Sequence, residues 1–391
     1  MKLTFLKSKL ITKKGEKSGL INLDNRYIKW VIINGSKIKD YLLAKKKDLT
    51  ATIKKACSER NLAFLKDKLI AKEVEKSAVV NLGNCYIKGL IIEGGKVKDY
   101  FIEKKEDLAT TIKKIWSEKK IPVRKVKLSV KDPSCLVRYF TFPKMDRKKL
   151  SQAIFYELNK LIPFPPDNVY FDFFILDDTS PRELSILLAV AKKDFVDNII
   201  DVFEKVNLKV IEINLDSVCL TNLFLNNYSG DKEANSCILD IGYNFSTMTI
   251  LSKGTPFLTR DVKFSAKEIF QIVSRISNKS LPEVEKQLFS PQGCDELLKS
   301  TRDSISNFCK ELKSSFDYFE VNKGETINKL YLSGGLASIA GIENVFVEAL
   351  DMEVGLLKPF LPGSDNLSEV FSGKKFSDFK NSFSVAFGLI L

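Results

Sequence analysis

Three short stretches, far apart in the chain, carry residue types suited to holding a phosphate chain. Two are hairpin turns, "NLGNCYIK" at residues 81–88 and "LDIGYNFSTMTI" at residues 239–250. The third, "LSGGLASIAG" at 332–341, is a glycine-marked turn from strand to helix. A tight hairpin turn presents backbone N–H groups and small hydroxyls to phosphate oxygens, one hairpin from each side. A carboxylate at the end of the strand before the turn holds Mg²⁺, usually through water, because that hard cation prefers charged oxygen ligands. Asp240 stands there in the second hairpin, but the first places Asn81. The Gly-Gly turn lets backbone come close to an adenosine and its ribose.

Composition removes most rival chemistries. The chain has no histidine, so Ser-His-Asp and Cys-His nucleophile pairs, imidazole metal sites and histidine acid–base catalysis are all excluded. Carboxylate, lysine, hydroxyl and backbone-amide chemistry remain. The seven cysteines are widely spaced with no C-x-x-C pair, and read as reduced, mostly buried thiols of a cytoplasmic protein. No apolar run approaches the ~18–20 residues that span a bilayer. The N-terminal stretch lacks the apolar core and cleavage site of a secretory signal.

The net charge of +13 is unevenly spread. Residues 1–131 hold 33 Lys and Arg against 14 Asp and Glu, whereas residues 132–391 hold 29 against 35. A basic third suits an anionic membrane surface, nucleic acid or an acidic partner, and equally well a merely solvated lysine-rich face. Nucleic acid is not expected: no known module is present, and lysines outnumber the arginines that read bases in bidentate fashion.

The elements that must position the three turns begin with a repeat. Pairing each residue i with i+59 from Phe5 to Arg60 gives 33 identities in 56 positions without a gap. Each copy reads strand, strand, strand, amphipathic helix, with turns on Gly and Asn that tolerate positive φ. Two copies are too few for a solenoid, so a local duplication is the better account. Only the second copy runs directly into the strands at 125–145. A helix then starts at Asp146, an N-cap, with Met145 and Leu150 spaced as a hydrophobic staple. Leu150, Ile154, Leu158 and Leu161 form its stripe, and Pro163, Pro165 and Pro166 end it. Polar residues 229–236 form a linker, after which the hairpin pattern returns. Later helices carry apolar faces through Ile305, Phe308, Leu312, Phe316 and Phe319, and through Phe379, Phe383 and Phe387 at the C-terminus.

In this order and context, the hairpins and Gly-Gly turn resemble the actin-like ATPase superfamily, and most of all its PilM/FtsA branch. The most specific pieces are "ELNKLIPFPPDNVYFDFFIL", "LDIGYNFSTMTILSKGTPFLTRDVKFSAKEI", "ELKSSFDYFE" and "LYLSGGLASIAGIENVFVEAL". The resemblance covers about residues 63–391. It implies an α/β, two-lobed actin-like (ribonuclease-H-like) fold with a small inserted subdomain, to which the repeat adds a duplicated N-terminal unit. The implied division is 1–62 for the extra copy, 63–142 and 208–234 for lobe one, and 143–207 for the inserted subdomain. Lobe two follows at 235–375, helical about 276–327, and a C-terminal helix at 376–391 docks on lobe one.

What the resemblance implies for the site is residue-specific. The first hairpin maps to Asn81, Gly83, Asn84 and Lys88, the second to Asp240, Gly242, Asn244, Ser246 and Thr247, and the adenosine turn to Gly334 and Gly335. Asp216 stands where the family commonly has a Glu near the nucleotide. The implied cofactors are ATP or ADP and Mg²⁺, the metal on Asp240 with Asp216 as a candidate helper. Because a neutral amide at 81 supplies no anionic ligand, the Mg²⁺ site is expected to be weakened and hydrolysis slow or absent. The implied partners are the cytoplasmic tail of a PilN-like bitopic inner-membrane protein and other pilus platform components. The implied location is the cytoplasmic face of the inner membrane. An FtsA-like division protein, a scaffold without nucleotide and a small-molecule kinase of the same superfamily are the alternatives. The kinase is disfavoured by the "LIPFPP" block. Copy one carries Asp24 where copy two has Gly83, which hinders close phosphate approach, so it reads as an appended basic module or a duplication without a role.

Overall fold

The computed structural model describes residues 76–93, 96–228, 234–288, 294–360 and 380–391, with 294–298 as backbone alone. Four strands near the N-terminus are likewise described as backbone: β1 (Ser8–Thr12), β2 (Lys17–Leu23), β3 (Tyr27–Asn34) and β4 (Lys37–Lys45). They form their own antiparallel sheet in chain order.

The second copy supplies β5 (Ser77–Leu82), β6 (Tyr86–Glu93), β7 (Lys96–Lys104) and helix α1 (Leu108–Glu118). Its pairing repeats that of the first copy residue for residue. Asn81 faces Lys88 as Asn22 faces Lys29, and both meanders bulge at the same place, before Ile92 and Ile33. Asp107 caps α1 by accepting from the Thr110 N–H. The helix of copy one and Asp24 lie outside the described residues.

β5 is a junction. On one side it pairs antiparallel with β6. On the other it runs parallel to β8 (Lys125–Val130), which runs parallel to β12 (Lys209–Leu215). The sheet order is β12-β8-β5-β6-β7. Lobe two repeats the plan with β13 (Ser236–Ile241), β14 (Ser246–Ser252), β15 (Thr255–Val262), β16 (Lys329–Gly334) and β17 (Glu353–Leu356), ordered β15-β14-β13-β16-β17. In both lobes the first three strands form a meander and the last two add in parallel. β5 corresponds to β13, and β8 to β16.

Between β8 and β12 lies a third sheet, β10-β11-β9, made of β9 (Cys135–Pro143), β10 (Val169–Asp177) and β11 (Glu183–Lys192). Helix α2 (Arg147–Leu161) covers it, with Leu150, Ile154 and Leu158 buried against Phe173, Ile186 and Val190. Asp146 accepts from the N–H groups of Lys148 and Lys149, and Met145 packs against the apolar cluster that contains Leu150. Two elements fall on the other side of the expected boundaries. β9, expected in lobe one, pairs along its whole length with β11. Helix α3 (Lys193–Lys205), expected in the insert, buries Val196, Ile199 and Phe203 in the lobe-one core. The inserted sheet therefore spans 135–192 rather than 143–207.

The remaining helices are α4 (Asp216–Asn227), α5 (Ala266–Ser277), α6 (Leu281–Leu288), α7 (Cys294–Lys323), α8 (Ile342–Leu350) and α9 (Ser384–Ile390). The expected face of α7 packs into the lobe-two core through Ile305, Phe308, Leu312 and Phe319, with Phe316 partly buried. Phe383 and Phe387 are fully buried where α9 meets α4, while Phe379 lies outside the described residues. Gly388 sits so close to α4 that a Cβ would lie 1.9 Å from the Cys219 carbonyl oxygen.

Candidate functional site

In an open α/β sheet, ligands bind beyond the carboxyl ends of the parallel strands. Here β5, β8, β12, β13 and β16 all end at one cleft between the lobes, and register decides which side chains meet. Asn81 lies beside Ser129 on β8, and Asp240 beside Ser333 on β16. Leu215 lies beside Val130, so the residues that follow, Asp216 at the start of α4 and Lys131, enter the same space.

The two hairpin turns are built alike. A Cβ at Gly83 would lie 2.5 Å from the Tyr86 carbonyl oxygen, and one at Gly242 would lie 2.5 Å from that of Phe245. Any side chain at either position would break the turn. Gly334 has φ +92° and is pressed against the Ile241 backbone, so the third turn also depends on glycine.

The polar groups form a compact network. Asn81, 2% exposed, donates its amide to both carboxylate oxygens of Asp216, at 3.0 and 2.9 Å, and to Ser129 Oγ at 2.9 Å. Burial and the nearby Asp240 carboxylate push Asp216 up to about 6 from 3.8. Lys131 Nζ lies 3.1 Å from Asp240 Oδ2. Lys88 also lines the cleft, and desolvation draws its ammonium below the usual lysine range against the pull of Asp240 and Asp216. At the mouth, the Tyr86 hydroxyl donates to Glu285 Oε1 of α6 at 2.6 Å, joining the first hairpin to lobe two.

Of the residues expected at the site, Asn81, Gly83, Asn84, Lys88, Asp216, Asp240, Gly242, Gly334 and Gly335 all line this cleft. Three do not. Asn244 is exposed outside it. Ser246 turns its hydroxyl to the Phe264 carbonyl oxygen at 2.6 Å. Thr247 donates to Asp261 Oδ1 at 2.7 Å and lines an adjoining cavity with Arg138, Pro163 and Arg260, across Lys131 and Asp216 from the cleft. Consecutive strand residues point to opposite faces, so Ser246 is taken up by Phe264 on one side and Thr247 by Asp261 on the other.

Sequence reading missed Lys131, Tyr86, Glu285, Ser333 and Asn381. Lys131 was legible only as the residue directly after a strand, and its importance depends on β8 lying parallel to β5, which no local pattern reveals. Ser333 sits inside the quoted "LSGG". Its buried hydroxyl has no protein partner, although its counterpart Ser129 is satisfied by Asn81.

The residues present fit a polyphosphate. Glycine turns close in from both lobes, two lysines supply positive charge, and the Ser333 hydroxyl is left for a ligand. They do not fit a divalent cation. Asp240, the expected Mg²⁺ ligand, is paired to Lys131, and Asp216 is engaged by Asn81. No group of three or more acidic or cysteine side chains is placed to hold a metal among the described residues.

A family model described as "Type IV pilus assembly protein PilM" matches residues 31–391. Among solved structures, the PilM-PilN type IV pilus biogenesis complex is similar with a TM-score of 0.69 and 18% identity, over 81% of this chain and 98% of that one. The ethanolamine utilization protein EutJ from Carboxydothermus hydrogenoformans gives a TM-score of 0.50 at 11% identity, over 81% and 89%. The fold is actin-like, and among the described residues no helix is long and apolar enough to cross a membrane. Two lobes of one topology, an inserted sheet after β8 and a family match over most of the length lead to one assignment: this chain belongs to the type IV pilus assembly protein PilM family.

Proposed function

We propose that the protein is a nucleotide-binding adaptor of type IV pilus assembly, taking ATP or ADP between its lobes and a membrane partner's tail on its surface. The observation that carries this reading is the meeting of three distant glycine turns with Lys88 and Lys131 at one interlobe cleft. Backbone amides of the turns after β5 and β13 would cradle the phosphates, Lys88 and Lys131 would offset their charge, and the Gly334–Gly335 turn would face the adenosine. Hydrolysis is slow or absent, because Asn81 replaces a carboxylate and, among the described residues of the cleft, Asp216, Asp240 and Glu285 are each engaged by a neighbour. The output is binding: occupancy shifts the angle between the lobes and so biases the partner surface.

By analogy with the PilM-PilN complex, the partner is the cytoplasmic tail of a PilN-like bitopic inner-membrane protein, alongside other pilus platform components. The protein then works at the cytoplasmic face of the inner membrane, with the basic residues 1–131 drawn to anionic headgroups. The test uses the full chain as bait in a low-salt detergent extract, with and without ADP. A single-pass inner-membrane protein is expected to copurify in an amount that ADP changes. Recovery of none, or of an amount indifferent to ADP, counts against the reading.

A further inference from the structure

The deepest charged groups of the cleft come as two of each sign, with Glu285 a further carboxylate at the mouth. Two carboxylates, Asp216 and Asp240, meet two ammonium groups, Lys88 and Lys131. Lys131 is held firmly. Its Nζ donates to Asp240 Oδ2 at 3.1 Å and approaches the Asp240 carbonyl oxygen at 3.4 Å, and the two side chains are only 11% and 10% exposed. Its ammonium lies 4.9 Å from the Phe245 ring centroid, on the second turn itself. A Cβ at Gly242 would come within 3.3 Å of Nζ, so the ammonium abuts the backbone that would cradle a phosphate.

Lys131 thus occupies the carboxylate oxygen through which Asp240 would hold a divalent cation. Mg²⁺ requires near-octahedral oxygen ligands with charged carboxylates among them. Asp240 is already paired to Lys131, and Asn81, its amide nitrogen held by Asp216, leaves toward the Gly83 turn a neutral carbonyl oxygen rather than a second carboxylate. A divalent ion beside Asp240 would also sit within a few ångströms of an ammonium group in a partly desolvated site, where like charges repel strongly.

We propose that the cleft binds adenine nucleotide without a divalent cation, with the Lys131 ammonium, anchored on Asp240, taking the metal's place against the phosphate oxygens. Lys88 supplies the second positive charge from the lobe-one hairpin. The inference rests on the nucleotide-binding reading above and deepens it: Lys131 becomes the residue that sets the cation requirement.

The experiment is calorimetric titration of ADP into the full chain, once with Mg²⁺ and once with excess EDTA, for the wild type and Lys131→Met. Methionine keeps an apolar stem against Phe245 and removes the charge. The wild type is expected to bind equally well in both buffers, within about threefold. Lys131→Met is expected to lose about tenfold or more in EDTA and to recover part of it with Mg²⁺, because Asp240 is then free to hold the ion. A wild type that loses about tenfold in EDTA overturns the inference alone, as does a folded Lys131→Met that binds in EDTA like the wild type. The wild-type comparison decides by itself if the variant does not fold. Absence of ADP binding in every buffer overturns the nucleotide reading and this inference together.

Discussion

Asn81 and Asp216 form a buried donor–acceptor pair in which one amide nitrogen serves two carboxylate oxygens. An aspartate at 81 would set two carboxylates about a hydrogen bond apart, so the amide is the residue that lets Asp216 remain in this place. The arrangement still has a pH signature. Asp216 titrates near 6 in the fold against 3.8 for a fully solvated aspartate, raised first by burial and then by Asp240. Between about pH 4 and pH 6 the folded protein thus binds more protons than the unfolded chain. Stability falls as pH rises through that window and levels off above it. Asp216→Asn should flatten this part of the curve, and above pH 6 the variant should be more stable by roughly 3 kcal/mol at most. Urea midpoints at pH 4.5, 6 and 8 measure it. Parallel curves for wild type and variant would remove Asp216 as the source.

At the scale of elements, the two copies place a large residue on opposite strands at one register position. In β6, Gly89 faces Phe101 of β7, and a Cβ there would lie 2.2 Å from the Phe101 ring, which is fully buried. In the first copy the same register sets Trp30 opposite Leu42. The large residue has changed strand. Gly89→Trp alone should therefore overpack the core and cost about 3 kcal/mol. Phe101→Leu alone should leave a void and cost about 1–2 kcal/mol. Together they should cost clearly less than their sum, with a coupling above about 1 kcal/mol by urea denaturation. Additive costs would show that Gly89 and Phe101 do not constrain each other across the strands. The repeat, its meander and the turn glycines were legible in the sequence because hairpins pair neighbours and obey local turn chemistry. The capped stripe of α2 was legible for the same reason. What escaped was pairing between distant segments. β9 reads as a second strand of lobe one after β8 yet joins β11, and Lys131 and Ser333 reach the site only through parallel pairs such as β5 with β8, across 48 residues between Asn81 and Ser129.

For the whole molecule, the lobes are held in two different manners. On one side a shared apolar cluster joins lobe one, through Val79 and Leu90, to lobe two, through Ile238 and Tyr331, with α4 and α9 between them. Asn381 adds a buried bond to the Ala337 carbonyl oxygen at 2.7 Å. On the other side the ties are polar: Lys131 to Asp240 on the floor and Tyr86 to Glu285 at the mouth. Apolar packing of this kind resists separation, whereas a half-exposed hydrogen bond contributes little beyond its own strength. Opening should therefore turn about the α4–α9 side and break the mouth contact first. Removing one hydroxyl tests this. Tyr86→Phe keeps the ring and deletes the donor, which to a charged acceptor is worth about 1.5–3 kcal/mol before solvent screening. Amides of the 83–86 turn and of α6 should exchange with deuterium several-fold faster, by roughly tenfold at most, while the central strands β5, β8 and β13 keep wild-type rates. Unchanged exchange at the mouth would mean that the contact does not hold the lobes together. Faster exchange throughout both sheets would mean that the bond supports the global fold rather than closure of the cleft.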